Sequence, residues 1–209
     1  GVVHAVELGK LDEMTLDAAL QRVQTLREKV ARQFGREVFQ SPESYFSSKA
    51  VGCSEHVELA ERVAREAIRV EGQIPELTGE TVLIHIDRED DGPFLEEIRR
   101  RLPTAPTMTL SPDTIPEASM AGILGFVQKS RNVVVTTVVK PAAWHNFGLS
   151  IEVKSFVQTI CQMKPTVVAS LGSAQALKGF EQAYAHIFAY SDVPVSQRAL
   201  ADVLLRKSS

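Results

Sequence analysis

The sequence has few of the residues that form disulfides, thiolate metal sites or redox centres. Its 209 residues include two cysteines, Cys53 and Cys161, and both lie in runs with helical periodicity. Two thiols so far apart, in runs of that kind, are typical of reduced structural cysteines. The sequence therefore predicts neither a disulfide nor a metal pair, and no residue pattern calls for a cofactor.

Long apolar runs and an excess of one charge are also missing. No stretch reaches the roughly 18 consecutive apolar residues that indicate a membrane-spanning helix. The chain has 23 Lys and Arg against 26 Asp and Glu, for a net charge of −3. That balance does not favour binding to nucleic acid or to an anionic membrane surface. We therefore expect neither partner, and the absence of a recognisable targeting segment leaves the compartment open.

Motifs for nucleotide binding and for a serine nucleophile are absent as well. The sequence contains no G-x-G-x-x-G, no G-x-x-x-x-G-K-[ST] and no G-x-S-x-G. These patterns identify dinucleotide sites, P-loops and hydrolase nucleophile elbows. The nearest feature is the turn Leu171-Gly172-Ser173, which has a single glycine. We interpret Ser173 there as a helix N-cap rather than as a nucleophile.

From residue 54 onward, apolar strands alternate with amphipathic helices. The periodicity predicts strands at 81–86, 107–110, 132–139, 165–171 and 183–190, and helices at 55–70, 93–102, 116–129, 149–163, 173–180 and 195–206. Continuous apolar strands between helices are typical of a parallel sheet that is covered on both faces. The predicted fold is an open, doubly wound α/β layer: a mostly parallel sheet of five to six strands in an αβα sandwich.

The first 52 residues have a different pattern. Residues 1–34 look helical, with a break at Gly9 and a cap at Asp12 or Thr15. An apolar stripe recurs there at helical spacing, at Leu16, Leu20, Val23, Leu26 and Val30. Residues 35–52 have no clean period and read as a linker. The predicted organisation is a helical tail (1–34), a linker (35–52) and an α/β domain (53–209).

The candidate site residues lie where the predicted strands end, because open parallel sheets bind ligands at that edge. Asp87 and Arg88 follow the first predicted strand in an acidic loop. That loop resembles the acidic pocket of phosphorelay receiver domains, but Lys140 stands where the third strand would supply an aspartate, so the receiver interpretation fails. Ser170 and Ser173 lie at the end of the fourth predicted strand.

The loop after the third predicted strand is the most polar and aromatic in the chain. It contains Trp144, His145 and Asn146, a set that suits stacking on a sugar or a base. An aromatic lid against another domain is the structural alternative. His85 and His186 lie within apolar strands, and we interpret both as hydrogen-bonded core histidines.

Several segments resemble family-three glycoside hydrolases, and most closely their β-N-acetylglucosaminidase branch. Val6–Leu11 resembles the last helices of that family's barrel domain, and Glu58–Ile68 the helix that opens its second domain. Lys164–Ser173 resembles the core of the second domain, and Ala189–Leu204 its final strand and helix. The resemblance implies the C-terminal domain of a two-domain enzyme, with the barrel domain as partner and a carbohydrate as substrate.

The resemblance also implies where the chemistry lies. Family members cleave β-glycosides with retention, which needs two carboxylates or equivalents about 5 Å apart. The nucleophilic aspartate belongs to the barrel. In the glucosidase branch a loop of the second domain supplies the acid/base glutamate, but the nearest glutamate here is Glu152, inside the next helix. We therefore expect the chain alone to be inactive and its candidate residues to form a rim around the substrate.

Two other interpretations stay open on the sequence alone. One is a stand-alone α/β module that binds sugars or nucleotides through its strand-end loops. The other is a small enzyme whose nucleophile carries no recognised motif.

Overall fold

The computed structural model describes residues 2–34, 52–88, 92–139 and 148–206. The chain divides into two compact units, Gly1–His56 and Val57–Ser209, and each is described by itself. Within the described ranges, no helix combines the length and the apolar character needed to cross a membrane.

The described residues 2–34 of the first unit are helical. They contain α1 (Val2–Glu7) and α2 (Glu13–Phe34). The chain breaks between them at Gly9, whose φ is +63°. The Asp12 carboxylate accepts the backbone N–H of Thr15 at 3.0 Å and so caps α2. The predicted helical segment, its break and its cap are all observed.

The second unit is built on a six-stranded sheet. In chain order the strands of the described residues are β1 (Arg69–Gly72), β2 (Thr81–Ile86), β3 (Thr107–Leu110), β4 (Asn132–Val139), β5 (Thr166–Gly172) and β6 (Ala185–Phe188). Their order across the sheet is β1-β6-β5-β4-β2-β3. Every neighbouring pair is parallel except β1 and β6. The predicted mostly parallel α/β sheet is confirmed.

Helices cover both faces of the sheet. The helices that follow α2 are α3 (Ser54–Ala67), α4 (Pro93–Arg101), α5 (Glu117–Lys129), α6 (Ile151–Met163) and α7 (Pro194–Leu204). Helices α4 and α7 bury Ile98 and Leu200 against one face, in a core that includes Leu83. Helices α5 and α6 bury Val127 and Val157 against the other, with Ile84. Successive residues of β2 thus point into two separate cores, which is the doubly wound sandwich that the sequence predicts.

Three predicted elements are wrong in their extent or type; one of them, the strand predicted over 183–190, is confined to Ala185–Phe188. The helix predicted over 55–70 ends at Ala67, and Arg69–Gly72 forms the antiparallel edge strand β1. All four residues of β1 are exposed, so no buried apolar pattern marks the strand; it forms because its backbone pairs with β6, as in Val70 opposite Ile187. The helix predicted over 173–180 is a single 3-10 turn, Ala174–Leu177.

Gly172 is the glycine on which the sheet geometry depends most. It ends β5 with φ of +118°, and a Cβ atom there would collide with the carbonyl oxygen of Val139 on β4. That same oxygen accepts the N–H of Ser173 at 3.1 Å. The two strand ends approach this closely because residue 172 has no side chain.

We expect Gly172→Ala to destabilise the fold by about 2 kcal/mol or more, because it adds both backbone strain and a backbone clash. The free energy of urea unfolding measures the loss. Gly122→Ala is the matched control: Gly122 lies in α5 with no atom near its potential Cβ. That change should raise stability by up to about 1 kcal/mol. Equal effects of the two substitutions would contradict this account of Gly172.

Candidate functional site

The carboxyl ends of the parallel strands form the edge where the sequence predicts a site. Strand β2 is followed in sequence by β3 on one side of it, whereas β4, β5 and β6 continue on the other side. The direction of winding therefore reverses between β2 and β4, and ligands of open α/β sheets bind in the crevice at such a point. Asp87 follows β2 directly and so lies at this switch point.

Asp87 and Arg88 lie in a small network of charges. Arg88 binds Asp113 with two nitrogens, at 3.2 Å from Nε and 2.9 Å from Nη2. The backbone N–H of Arg88 donates to Asp87 Oδ1 at 2.7 Å. Asp87 Oδ2 lies 3.8 Å from His85 Nε2. Because Arg88 and Asp113 are exposed, their pair contributes at most about 1 kcal/mol to stability. The guanidinium can therefore be released toward a ligand at little cost.

Asp113 is a site residue that the sequence analysis did not single out. It lies in the turn after β3, beside the end of β2, and it fixes the orientation of the Arg88 guanidinium. Its signal was the same as that of Asp87, a polar residue just beyond a strand. The pairing itself needed the register of β2 against β3, which no local pattern contains.

His85 supports this corner of the edge from inside the sheet. It is buried, its Nδ1 lies 2.7 Å from Thr136 Oγ1 on β4, and its ring stacks on Phe94 with centroids 5.7 Å apart. His186 is half-buried, and its Nε2 donates to the carbonyl of Phe180 at 2.9 Å. The prediction of hydrogen-bonded core histidines is confirmed for His85, whereas His186 is hydrogen-bonded but only half-buried.

Ser170 and Ser173 are brought together at the end of β5. Ser170 is fully buried, and its hydroxyl donates to the carbonyl of Ser173 at 2.7 Å. The Ser173 hydroxyl accepts the N–H of Gln175 at 3.2 Å and caps the 3-10 turn. The interpretation of Ser173 as a cap is confirmed. Both hydroxyls act within their own turn, and contact of either with a substrate stays a prediction.

A second residue that sequence reasoning missed is Gln197. From α7, its Oε1 accepts the N–H of Phe94 at 3.1 Å, and its Nε2 donates to the carbonyl of Asp192 at 2.7 Å. One amide thus holds the start of α4 and the loop after β6 in a fixed relation. A glutamine on an amphipathic helix carries no sequence signal for that role.

Trp144, His145 and Asn146 lie outside the described residues and stay predictions. Within the described ranges, no group of three or more His, Cys, Asp or Glu side chains could hold a metal ion.

Both cysteines are free thiols, as predicted. Burial raises the pKa of the Cys161 thiol from 9.0 to about 11, against a smaller lowering by its hydrogen bond with Thr166. At neutral pH this thiol is therefore protonated and a poor nucleophile.

Comparison with known proteins identifies the fold. No protein-family model and no curated protein matches the chain. Among solved structures, a family 3 β-N-acetylglucosaminidase from Paenibacillus sp. is 20% identical with a TM-score of 0.63, over 97% of this chain and 39% of that one. A β-glucosidase from Listeria innocua is 18% identical with a TM-score of 0.64, over 98% and 32%.

The fold is shared with family 3 glycoside hydrolases. A β-glucoside phosphorylase also matches, at 16% identity and a TM-score of 0.60, over 99% of this chain and 39% of that one. The chain thus spans between about a third and two fifths of the length of these relatives. The resemblance drawn from the sequence is confirmed at the level of the fold.

We expect Thr136→Val to cost about 1–3 kcal/mol of unfolding free energy, because it leaves a nitrogen of buried His85 without its partner. Valine keeps the volume and the β-branching of threonine. Thr137→Val is the matched control. Thr137 is the next residue of β4 and is equally buried, but its hydroxyl makes only a 3.4 Å hydrogen bond to the Ala169 carbonyl. Denaturant unfolding measures both, and a control loss as large as that of Thr136→Val would refute the role given to the histidine pair.

Proposed function

We propose that this chain is the C-terminal, non-catalytic domain of a retaining β-glycosidase similar to the β-N-acetylglucosaminidases. Its substrate would be a carbohydrate or a peptidoglycan-derived sugar. The observation that carries the proposal is the fold that nearly the whole chain shares with family 3 enzymes. The chain nevertheless spans only 32–39% of the length of those enzymes. The rest of such an enzyme would provide the catalytic barrel.

The chemistry of the described carboxyl edge supports a non-catalytic role. Retaining hydrolysis needs one carboxylic acid that gives up a proton and one carboxylate that attacks the sugar. Here Asp113 is held by the guanidinium of Arg88, and Asp87 accepts the backbone N–H of Arg88. One carboxylate is thus held by a cation and the other by a backbone amide, so both are already engaged within the chain. Their arrangement suits substrate orientation better than bond cleavage.

The exposed apolar surface of α2 supports the proposal that another domain packs against it. Leu20, Val23 and Leu26 are 52%, 54% and 61% exposed, on successive turns of a 22-residue helix. An exposed apolar stripe of this kind is typical of a surface that packs on another protein element. Since the relatives are much longer than this chain, the proposed occupant is the barrel domain of the same enzyme.

The switch-point geometry favours one alternative, a stand-alone α/β module that binds sugars or nucleotides. Across the sheet the parallel strands lie in the order β3-β2-β4-β5-β6. If these five strands are renumbered 1 to 5 along the chain, the order is 2-1-3-4-5, which is also that of flavodoxin-like nucleotide-binding proteins. Calorimetric titration of the chain with N-acetylglucosamine, muropeptide fragments and nucleotides separates the two. Tight nucleotide binding would favour the module.

We expect the 209-residue chain to release no 4-nitrophenol from 4-nitrophenyl N-acetyl-β-glucosaminide above the buffer rate, because the proposal assigns the catalytic pair to the barrel domain. The full product of the gene that encodes it should turn the substrate over. The same assay of the full product with 4-nitrophenyl β-glucoside tests whether the enzyme belongs with the β-N-acetylglucosaminidases or with the β-glucosidases. Turnover by the chain alone would show that its chemistry has been misplaced, and an inactive full product would count against a glycosidase.

In that full product, Arg88→Ala should raise KM about tenfold and leave kcat nearly unchanged. A charged hydrogen bond that holds the substrate equally in the ground and transition states has this signature. Arg131→Ala is the matched control, because Arg131 precedes β4 and lies at the opposite, amino edge of the sheet. Unchanged KM for Arg88→Ala would remove Arg88 from the rim.

A further inference from the structure

Tyr190 has an unusual backbone for a large side chain. Its φ is +59°, and among the described residues it is the one non-glycine residue with a positive φ. Bulky L-residues rarely adopt this conformation, because their Cβ crowds the following carbonyl. Strain of this kind persists where the side chain or the position serves a function.

Gly172 gives the comparison at the same edge of the sheet. It also has a positive φ just where a strand ends, and the close approach of Val139 explains why a glycine stands there. At position 190 a glycine or an asparagine would adopt the turn with less strain. The tyrosine side chain therefore has a role other than making the turn.

Packing within the chain accounts for only part of the Tyr190 ring. The ring stacks on Phe188 with centroids 6.3 Å apart, and Phe188 stacks on His186 at 6.4 Å. We call these three residues the aromatic row: His186 and Phe188 lie at alternate positions of β6, on one face, and Tyr190 continues the stack two residues beyond the strand. Tyr190 ends the row and is 50% exposed. Its ring is thus stacked on one neighbour while half of the residue's surface faces solvent.

The loop that carries Tyr190 is firmly attached at the carboxyl edge. The N–H of Ala189 donates to the carbonyl of Ser170 at 2.9 Å, and Gln197 holds the carbonyl of Asp192. Strand β6 lies three strand spacings from β2, or about 14 Å. Tyr190 therefore borders the same edge as Asp87 and Arg88, on the far side of β4 and β5.

We propose that Tyr190 is a carbohydrate-contacting residue of this domain, with its exposed ring packed against the apolar face of a pyranose. A half-exposed, rigidly supported aromatic ring offers a large contact area at little loss of side-chain freedom, and its hydroxyl adds a hydrogen bond. The backbone strain is then the cost of presenting the ring at the edge. The choice of a sugar as the ligand rests on the proposed function.

The test is a titration of the full 209-residue chain with N,N′-diacetylchitobiose, followed by NMR shifts of the backbone amides. We expect shifts around Tyr190, and an affinity about tenfold weaker in Tyr190→Asn. Asparagine tolerates a positive φ, so the turn is kept. Tyr184→Asn is the matched control: Tyr184 is 51% exposed but precedes β6 at the amino edge, and its loss should leave the affinity unchanged.

Four outcomes would overturn the inference. Equal affinity of Tyr190→Asn and the unchanged chain would show that the ring makes no contact. A control loss as large as that of Tyr190→Asn would show a general effect of removing a tyrosine. Absence of saccharide binding would also refute it. In each case turnover by the full gene product decides the proposed function separately, whereas binding of a nucleotide in place of the saccharide would overturn both.

Discussion

The parallel pairing of β2, β4 and β5 is the constraint on which the rest of the structure depends. Strands β2 and β4 are buried along their whole length, and β5 is buried up to its last residue. Each strand needs a neighbour for its backbone hydrogen bonds and a helix against each face, because no buried peptide group can be left unpaired. Once that register forms, the ends of all three strands lie at one edge. The edge is therefore a consequence of core formation and requires no separate folding step.

The same register explains which parts of the molecule could be predicted from the sequence. The run 132–139 is β-branched and apolar, so its burial and its strand conformation follow from composition alone, and the structure agrees. Strand β1 carries no such pattern, and its conformation comes from hydrogen bonds to β6, more than 110 residues away in the chain. Local periodicity cannot contain that information.

The candidate site divides in the same way. The positions of Asp87 and Arg88 followed from the rule that strand ends gather ligand-binding groups, and Ser173 was recognisable as a cap. Their partners were not, because Asp113 and Gln197 act through contacts between elements. Tyr190 is the extreme case: its sequence context predicts a strand, and only the backbone angle shows that the residue is held in a turn.

Under the proposed function, the charges and the aromatic ring along this edge would help to bind a substrate whose bonds are broken in another domain. An active site built on this chain alone would need an acid and a nucleophile facing one space, whereas Asp113 pairs with the Arg88 guanidinium and Asp87 accepts the Arg88 backbone N–H. A cation and an aromatic surface on separate strand ends add binding contacts without requiring the exact placement that bond cleavage demands. If another domain cleaves the bond, the residues at this sheet edge would not need the exact placement that catalysis requires. Its loops need only keep the ring and the charge exposed, while the buried strands keep them in register.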